Sequence, residues 1–218
     1  LWNDKQTDAI LIDSKGQDRT YEIRDANSPG GVRQQKWHFP SRAECTLCHT
    51  MAARYVLGVS TEQMNRDFDY GPDVGKKNQI DYLNEIGAFT KAVPETPAKL
   101  RRLVDYHDSS ASISDRARSY LHANCSHCHR KWGGGNAEFL LLSTLPVEET
   151  GTVNIRPGQG AFGLRNDPRL LVPGDPDRSL IHYRMSLLGL GRMPHIGSNV
   201  RDDESNQLIR NWIQQLKP

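Results

Sequence analysis

The four cysteines of the chain fall in two pentapeptides, and each pentapeptide ends in histidine. The first runs from Cys45 to His49 and the second from Cys125 to His129. In such a C-x-x-C-H pattern the two thiols can each form a thioether with a haem vinyl group, and the histidine that follows can bind the iron. The sequence therefore predicts two covalently attached haem c groups. The expected thioether residues are Cys45, Cys48, Cys125 and Cys128, and the expected iron ligands are His49 and His129.

Paired cysteines have three other common uses. A four-cysteine zinc site has its second pair about 15–20 residues after the first, whereas the gap here is far longer. Two disulfides in an oxidising compartment would leave His49 and His129 without a role. A thioredoxin-like C-x-x-C opens a helix after a strand, and no such pattern surrounds either motif. Haem attachment is the interpretation that gives both histidines a function.

The composition favours small domains built around a cofactor. The chain has 218 residues, of which 36% are hydrophobic. This hydrophobic fraction is low for a core made of side chains alone, and two buried porphyrins would supply the missing apolar volume. The two motifs lie about 80 residues apart, which favours two domains.

Charge and hydropathy exclude several classes of function. The formal net charge is +2 with both signs spread along the chain, so the sequence indicates neither nucleic-acid binding nor a polybasic membrane contact. Without an apolar run of about 18 residues or a charged-then-apolar leader, we expect no membrane span in this fragment and a signal that has been removed. Covalent haem attachment is completed outside the cytoplasm, so we expect a bacterial periplasmic or extracellular protein.

The first part of the chain, residues 1–32, reads as a β-like segment. Strand-forming runs at 8–12 and 19–23 are followed by a turn signal at 27–31. These features predict a small hairpin with a structural role.

Residues 109–218 show a clear helical order. Ser112 and the acid three positions later are an N-terminal capping signal, and apolar residues at helical spacing predict a helix over 112–124 that leads into the second motif. The motif is followed by the loop 131–135, whose glycines permit close approach of the backbone to a flat cofactor. A further helix is predicted to open at 175–176, where aspartate precedes proline.

The end of the chain holds a loop and a last helix. Met193 lies in the Gly- and Pro-containing loop 191–197, and acids at 202–204 open a helix with an apolar stripe that extends to Leu216. This order of helix, haem motif, methionine loop and final helix resembles a class I cytochrome c. The resemblance implies His129 as the proximal iron ligand, Met193 as the distal ligand, and Tyr120 and Trp212 as a packing pair between the first and last helices.

The segment 33–108 departs from that pattern. Pro40 disfavours a long helix before the first motif, and helices are predicted at 61–67, 78–86 and 97–104. The whole chain, from Trp37-His38-Phe39-Pro40-Ser41-Arg42 to Pro173-Gly174-Asp175-Pro176, resembles the dihaem cytochrome modules of secreted bacterial redox proteins. Such modules occur beside sugar dehydrogenase or carbohydrate-binding domains.

Together these features predict a mainly α fold of two small cytochrome c-like helical haem domains with a short N-terminal β-hairpin. The expected divisions are the N-terminal β-like segment 1–32, a first haem c domain at 33–108, and a second, class I-like haem c domain at 109–218.

The second ligand of the first iron is open between several residues. Met64 is the best-placed candidate, because its distance from a following helix matches that of Met193, although a packing methionine explains it nearly as well. Met51, His38 and His107 are the other candidates. If none of them binds, the first iron is five-coordinate and becomes a candidate for catalysis.

Haem propionates need donors, and three residues near the predicted haems supply them. Arg184 and Arg192 can pair with carboxylates through their guanidinium groups, and the indole of Trp132 is a donor. An ordinary surface role is the competing interpretation for the arginines. For His122 and His127, beside and within the second motif, the sequence indicates partly exposed polar side chains.

Electron transfer is the function that these predictions favour. Electrons would enter one haem from a partner such as a quinoprotein sugar dehydrogenase or a copper oxidoreductase and leave from the other to an acceptor. The alternative is a dihaem peroxidase-like enzyme with an open first haem, and a third is a haem-based sensor or structural module. We expect an electron carrier without a catalytic residue of its own.

Overall fold

The computed structural model describes residues 1–217, and within them the fold is a mixture of helix and strand. Helices, including four 3₁₀ turns, account for 28% of the residues, and strands with isolated bridges account for 13%; the described residues form six α-helices and two small antiparallel sheets. The mainly α prediction is therefore wrong. The strands are β1 (Gln17–Arg24), β2 (Val32–Phe39), β3 (Asp67–Asp69) and β4 (Lys76–Asn78), and the helices are α1 (Arg42–Cys45), α2 (Thr61–Met64), α3 (Gln79–Glu85), α4 (Ile113–Cys125), α5 (Leu180–Ser186) and α6 (Asp203–Gln215).

The correction arises mainly in the first half, where the helices are only one or two turns long. The helix expected at 61–67 ends at Met64, because Asn65 leaves the helical conformation and the chain enters β3. The helix expected at 97–104 is a single 3₁₀ turn at Pro97–Lys99. Short helices gain few backbone hydrogen bonds for the residues they order, so they depend on neighbouring packing.

A two-stranded hairpin precedes the first motif, but its strands differ from those expected. Gln17 lies opposite Phe39 and Arg24 opposite Val32 in an antiparallel register. The run at 8–12 instead forms only a single bridge, between Trp2 and Ala9. The hairpin leads directly into α1, so it holds the chain just before the first cysteine.

The α1 helix is brief but well capped. The Ser41 hydroxyl accepts a hydrogen bond from the Glu44 N–H at 3.2 Å, and the Glu44 carboxylate accepts one from the Ser41 N–H at 2.8 Å. This reciprocal capping box satisfies two N–H groups that a helix start leaves free. It fixes the start of α1, three residues before Cys45.

The hydrophobic core lies in the second half. The helix α4, capped by Ser112, packs against α6, which begins after the capping residue Asp202 and also packs against α5. Ile209 and Ile213 are completely buried, and Trp212 is nearly so. Tyr120 packs against the same cluster. The second motif is thus attached to the best-packed part of the chain.

The first half is held together by polar contacts more than by apolar burial. The buried Asn65 side chain donates to the Pro97 and Leu100 carbonyls at 2.8 and 3.1 Å, and its oxygen accepts from Asn78 at 3.0 Å. These bonds tie α2, the β3–β4 sheet and the 3₁₀ turn together. Among the described residues of this half, the buried apolar side chains are Ala53 and Ile80. Among residues 1–217, no helix is both long and apolar enough to cross a membrane.

Candidate functional site

The two cysteine pentapeptides lie against each other. Cys128 Sγ lies 3.5 Å from Cys48 Sγ and 3.3 Å from the carbonyl oxygen of Leu47. The sequence predicted two separate haem motifs and gave no indication that they meet. The contact places the C-terminal cysteine of each motif in one shared site.

Glycine residues after the second motif make this approach possible. A Cβ atom at Gly134 would lie 1.9 Å from the Leu47 carbonyl oxygen, and one at Gly133 would lie 2.3 Å from the Cys128 carbonyl oxygen. Real Cβ atoms do not come so close to a carbonyl, so only glycine fits at either position. The glycine loop was expected to approach a cofactor; in the structure it approaches the backbone of the first motif.

Arg130 connects the two motifs further. Its guanidinium group donates to the Ala52 carbonyl at 3.0 Å, just beyond the first motif, and its Nε donates to the Ser126 carbonyl at 2.7 Å, within the second. Sequence reasoning missed this residue. Its position directly after His129 was the one available signal, because a residue next to a rigid motif is well placed to brace it.

The second histidine, His129, is buried in the core region. Its ring stacks on Phe139 with centroids 4.2 Å apart, and the residue is only 8% exposed. Burial, with smaller contributions from nearby cationic side chains including Arg184, lowers its pKa to about 4. The imidazole is therefore neutral at pH 7, the form that can bind a metal. Within residues 1–217 its Nδ1 has no hydrogen-bond partner.

The first histidine, His49, is exposed but its ring is oriented. Nδ1 lies 2.5 Å from the carbonyl oxygen of Tyr55. A carbonyl can only accept a hydrogen bond, so Nδ1 carries the proton and the lone pair is on Nε2. Metal-binding histidines commonly have this arrangement, with one ring nitrogen donating to a carbonyl and the other free for the metal.

The four thiols have unequal environments. Cys45 is exposed, whereas Cys48, Cys125 and Cys128 are partly buried. Burial raises the pKa of Cys125 to about 12, and burial together with the neighbouring Cys48 raises that of Cys128 to about 12. Both thiols are protonated at neutral pH, which is the less reactive form, so a bond-forming reaction must first remove the proton.

Met193 lies in a loop beside α5. Its N–H donates to the Arg184 carbonyl at 3.0 Å, and its side chain is half-buried. The charges of Arg184 and of His195, two residues after Met193, contribute to the lowered pKa of His129. Within residues 1–217 no hydrogen bond joins the Met193 sulfur to His129 Nδ1.

The candidate ligands of the first iron lie in different surroundings. Met64 is half-buried at the end of α2, and Met51 is exposed. Both ring nitrogens of His38 are taken by acids, Asp18 at 2.6 Å and Glu44 at 3.0 Å. His107 similarly lies between Asp105 and Glu204. The two histidines are thus engaged elsewhere, and the methionines are the remaining candidates.

The residues expected to bind propionates have structural contacts. Arg184 donates to the Gly191 carbonyl at 2.7 Å and lies over the Phe162 ring, and Arg192 donates to the Ser198 hydroxyl at 3.1 Å. Both arginines brace the loop that carries Met193. Trp132 is 83% exposed, with the Lys131 ammonium 4.6 Å from its ring centre.

Of the two histidines beside and within the second motif, one differs from the sequence expectation. His122 is buried, and its Nδ1 lies 2.8 Å from the Ser143 hydroxyl. The partly exposed position expected for it is therefore wrong. His127 is half-buried, and its Nδ1 is buried without a hydrogen-bond partner among the residues that the structure describes. Both rings have lowered pKa values, chiefly because of burial.

The residues present fit covalent haem attachment in three respects. The thiols have the required spacing; within residues 1–217, His49 Nε2 has no hydrogen-bond partner, and the neutral His129 has none at Nδ1. Comparisons with family models, with curated proteins and with solved structures give no match for this chain. The functional assignment therefore depends on the chemistry of the site itself.

Proposed function

We propose that the chain is a periplasmic or secreted electron carrier that holds two haem c groups. The observation that supports this most directly is the contact between the two C-x-x-C-H motifs, each of which ends in a histidine suited to iron binding. Cys45 and Cys48 would hold one haem with His49 as ligand. Cys125 and Cys128 would hold the other with His129. Each bound haem would supply a one-electron iron couple.

The protein part would make the two redox centres unequal. His129 is buried against Phe139, whereas His49 is exposed and donates to a backbone carbonyl. Burial, axial-ligand identity and hydrogen bonding are the properties by which proteins set haem potentials. Two such different surroundings favour two different potentials and hence a directed step between the centres.

Met193 is the proposed second ligand of the iron held by His129. The loop that carries it is held by Arg184 and Arg192, and the charge of Arg184 is one of the causes that lower the pKa of His129. Methionine opposite histidine raises the reduction potential and fills the coordination sphere. For the first iron we propose Met64, because His38 and His107 are engaged by carboxylates and Met51 is exposed, whereas Met64 is half-buried.

A protein partner suits the surface around the first motif. Exposed apolar side chains follow one another there, namely Leu47, Met51, Tyr55, Val56 and Val59. Clustered exposed apolar residues often mark an interaction site. We propose that a donor such as a quinoprotein sugar dehydrogenase or a copper oxidoreductase binds at this surface.

One observation favours a second function, a dihaem peroxidase-like enzyme. His49 is exposed, and the two histidines that could have closed the opposite side of its iron are held by acids. An iron with one open position could react with peroxide. The carrier needs both positions filled, so ligand binding distinguishes the two functions.

The test is a redox titration combined with carbon monoxide binding on the chain purified from a host that attaches haem c. The proposal predicts two one-electron transitions at different potentials and no carbon monoxide binding to the reduced protein. Binding of one equivalent would favour the peroxidase. Absence of any redox-active haem band would overturn both functions.

A further inference from the structure

We propose that the chain, before haem is attached, binds one soft divalent cation such as Zn²⁺ through Cys48, His127 and Cys128. A ligand atom from each of these three side chains lies within 4.8 Å of the other two. All three side chains are partly buried. The inference goes beyond the proposed function, because it concerns the chain while its four thiols are free.

The separation of the two sulfur atoms suits a bridging metal. Cys48 Sγ and Cys128 Sγ are 3.5 Å apart. Two thiolates on one tetrahedral zinc ion, each at about 2.3 Å, would be about 3.8 Å apart. A disulfide would need about 2.05 Å. The observed spacing is therefore close to that of two ligands on one ion and far from that of a disulfide.

His127 supplies the third donor, and one of its ring nitrogens is a buried polar atom with no other explanation. Its Nδ1 is buried and has no hydrogen-bond partner in the described part of the chain. We propose this Nδ1 as the ligand atom, because a buried polar atom without a partner carries a free-energy cost that a bound ion would remove. Two thiolates and one imidazole are a donor set that zinc prefers, and a fourth position would remain for water.

The proposed site is non-local, which separates it from a simple C-x-x-C-H chelate. Cys48 comes from the first motif, and His127 and Cys128 come from the second. Cys45 and Cys125 are not in the cluster. The site exists only while the motifs are packed together, and Gly134 and Arg130 maintain that packing.

Metal and haem would compete for the same sulfur atoms. Binding of Zn²⁺ releases the proton of each thiol and forms two metal–sulfur bonds, whereas haem attachment converts each sulfur into a thioether. This consequence rests on the proposed function. A bound ion would protect Cys48 and Cys128 from oxidation until the haem is attached.

The test uses the full chain produced without haem attachment and kept reduced. Titration with Co²⁺, which reports thiolate ligands by their charge-transfer absorption, should reach a plateau at one equivalent, and Zn²⁺ should displace the cobalt. Cys48→Ser, Cys128→Ser and His127→Asn should each weaken binding at least about tenfold, because loss of a ligand costs no less than loss of its supporting shell. Cys45→Ser, Cys125→Ser and His107→Gln should leave the affinity unchanged.

A second measurement needs no variant. Alkylation with and without zinc, followed by peptide mapping, should show that zinc protects Cys48 and Cys128, whereas the exposed Cys45 is modified in both cases. If zinc protected both cysteines of each motif equally, or if Cys45→Ser and Cys48→Ser weakened metal binding equally, the metal would be bound by separate local chelates and the inference would be overturned. The absence of a thiolate-to-cobalt absorption band would overturn it as well. Haem attachment is measured separately, so a chain that takes up haem but not metal refutes this inference alone.

Discussion

The backbone carbonyl of Tyr55 fixes the imidazole of His49 through a 2.5 Å contact with Nδ1. The turn that delivers this carbonyl is strained, because Arg54 and Tyr55 have φ angles of 57° and 61°. Such left-handed conformations are costly for residues other than glycine and persist where the surrounding structure requires them. The strain is therefore tied to the orientation of a proposed iron ligand.

Two substitutions at Tyr55 should have opposite consequences. Tyr55→Gly tolerates the positive φ and should keep the carbonyl in place. Tyr55→Pro cannot adopt it, and it also removes the N–H that donates to the Thr50 carbonyl. Without the carbonyl the imidazole becomes a weaker donor to iron. In redox titrations we expect Tyr55→Pro to raise the potential of the first haem only and Tyr55→Gly to match the native chain. Equal behaviour of the two variants would contradict this role.

The contact between the motifs should depend on Gly134. Gly134→Ala places a methyl group against the Leu47 carbonyl, and we expect a loss of about 1–3 kcal/mol in the free energy of unfolding from overpacking. Gly158→Ala is the matched control, because a Cβ there meets nothing within 4 Å. Its effect should stay within about 0.5 kcal/mol. Urea unfolding followed by circular dichroism measures both; an equal loss in the two variants would argue against the packed interface.

The link between the hairpin and α1 should depend on pH through His38. Hydrogen bonds with Glu44 and Asp18 raise the pKa of His38, so its stabilising effect is complete below about pH 6.5 and is lost as the pH rises through the raised value. The bond from His38 lowers the pKa of Glu44 to about 2, so the contribution of Glu44 is present above its ordinary value near 4.5 and is lost as the pH falls towards 2.

These two titrations predict that the link is strongest between about pH 4.5 and 6.5. The measurement is the free energy of unfolding as a function of pH for the native chain and for His38→Asn. Relative to the variant, the free energy of unfolding of the native chain should decrease both below and above that pH window. Parallel profiles would show that His38 does not couple the two carboxylates to folding.

The α4–α6 core should carry most of the stability. Ile209 is fully buried on α6, and Ile209→Ala should cost about 2–5 kcal/mol because it removes apolar contacts and leaves a cavity. Leu190 is 100% exposed, so Leu190→Ala should leave the free energy of unfolding unchanged. Thermal or urea unfolding of the two variants checks this. A similarly small loss of unfolding free energy at both positions would contradict the claim that the α4–α6 core carries most of the stability.

The sequence was a good guide where local signals determine structure. Ser112 and Asp202 are capping residues whose side chains accept from the helix N–H groups three positions later, and α4 and α6 begin directly after them. The apolar stripe of the last helix likewise predicted its buried face. In these segments the local preferences agree with the tertiary packing, so a periodic pattern is sufficient.

The sequence was a poor guide where long-range contacts determine the structure. Strand β2 contains mainly polar and charged residues without a regular apolar face, and its pairing with β1 makes it a strand. The contact of Cys48 with Cys128 joins positions 80 residues apart. Nothing local indicates such a contact, and the glycines that allow it are equally typical of loops and of cofactor sites.

The number of haem groups on the purified chain tests the central claim most directly. The intact mass of the protein from a host that attaches haem c should exceed the polypeptide mass by two haems. Cys45→Ser combined with Cys48→Ser should reduce this to one, and so should the corresponding pair of changes at Cys125 and Cys128. A native chain that carries no haem, or only one, would contradict the account.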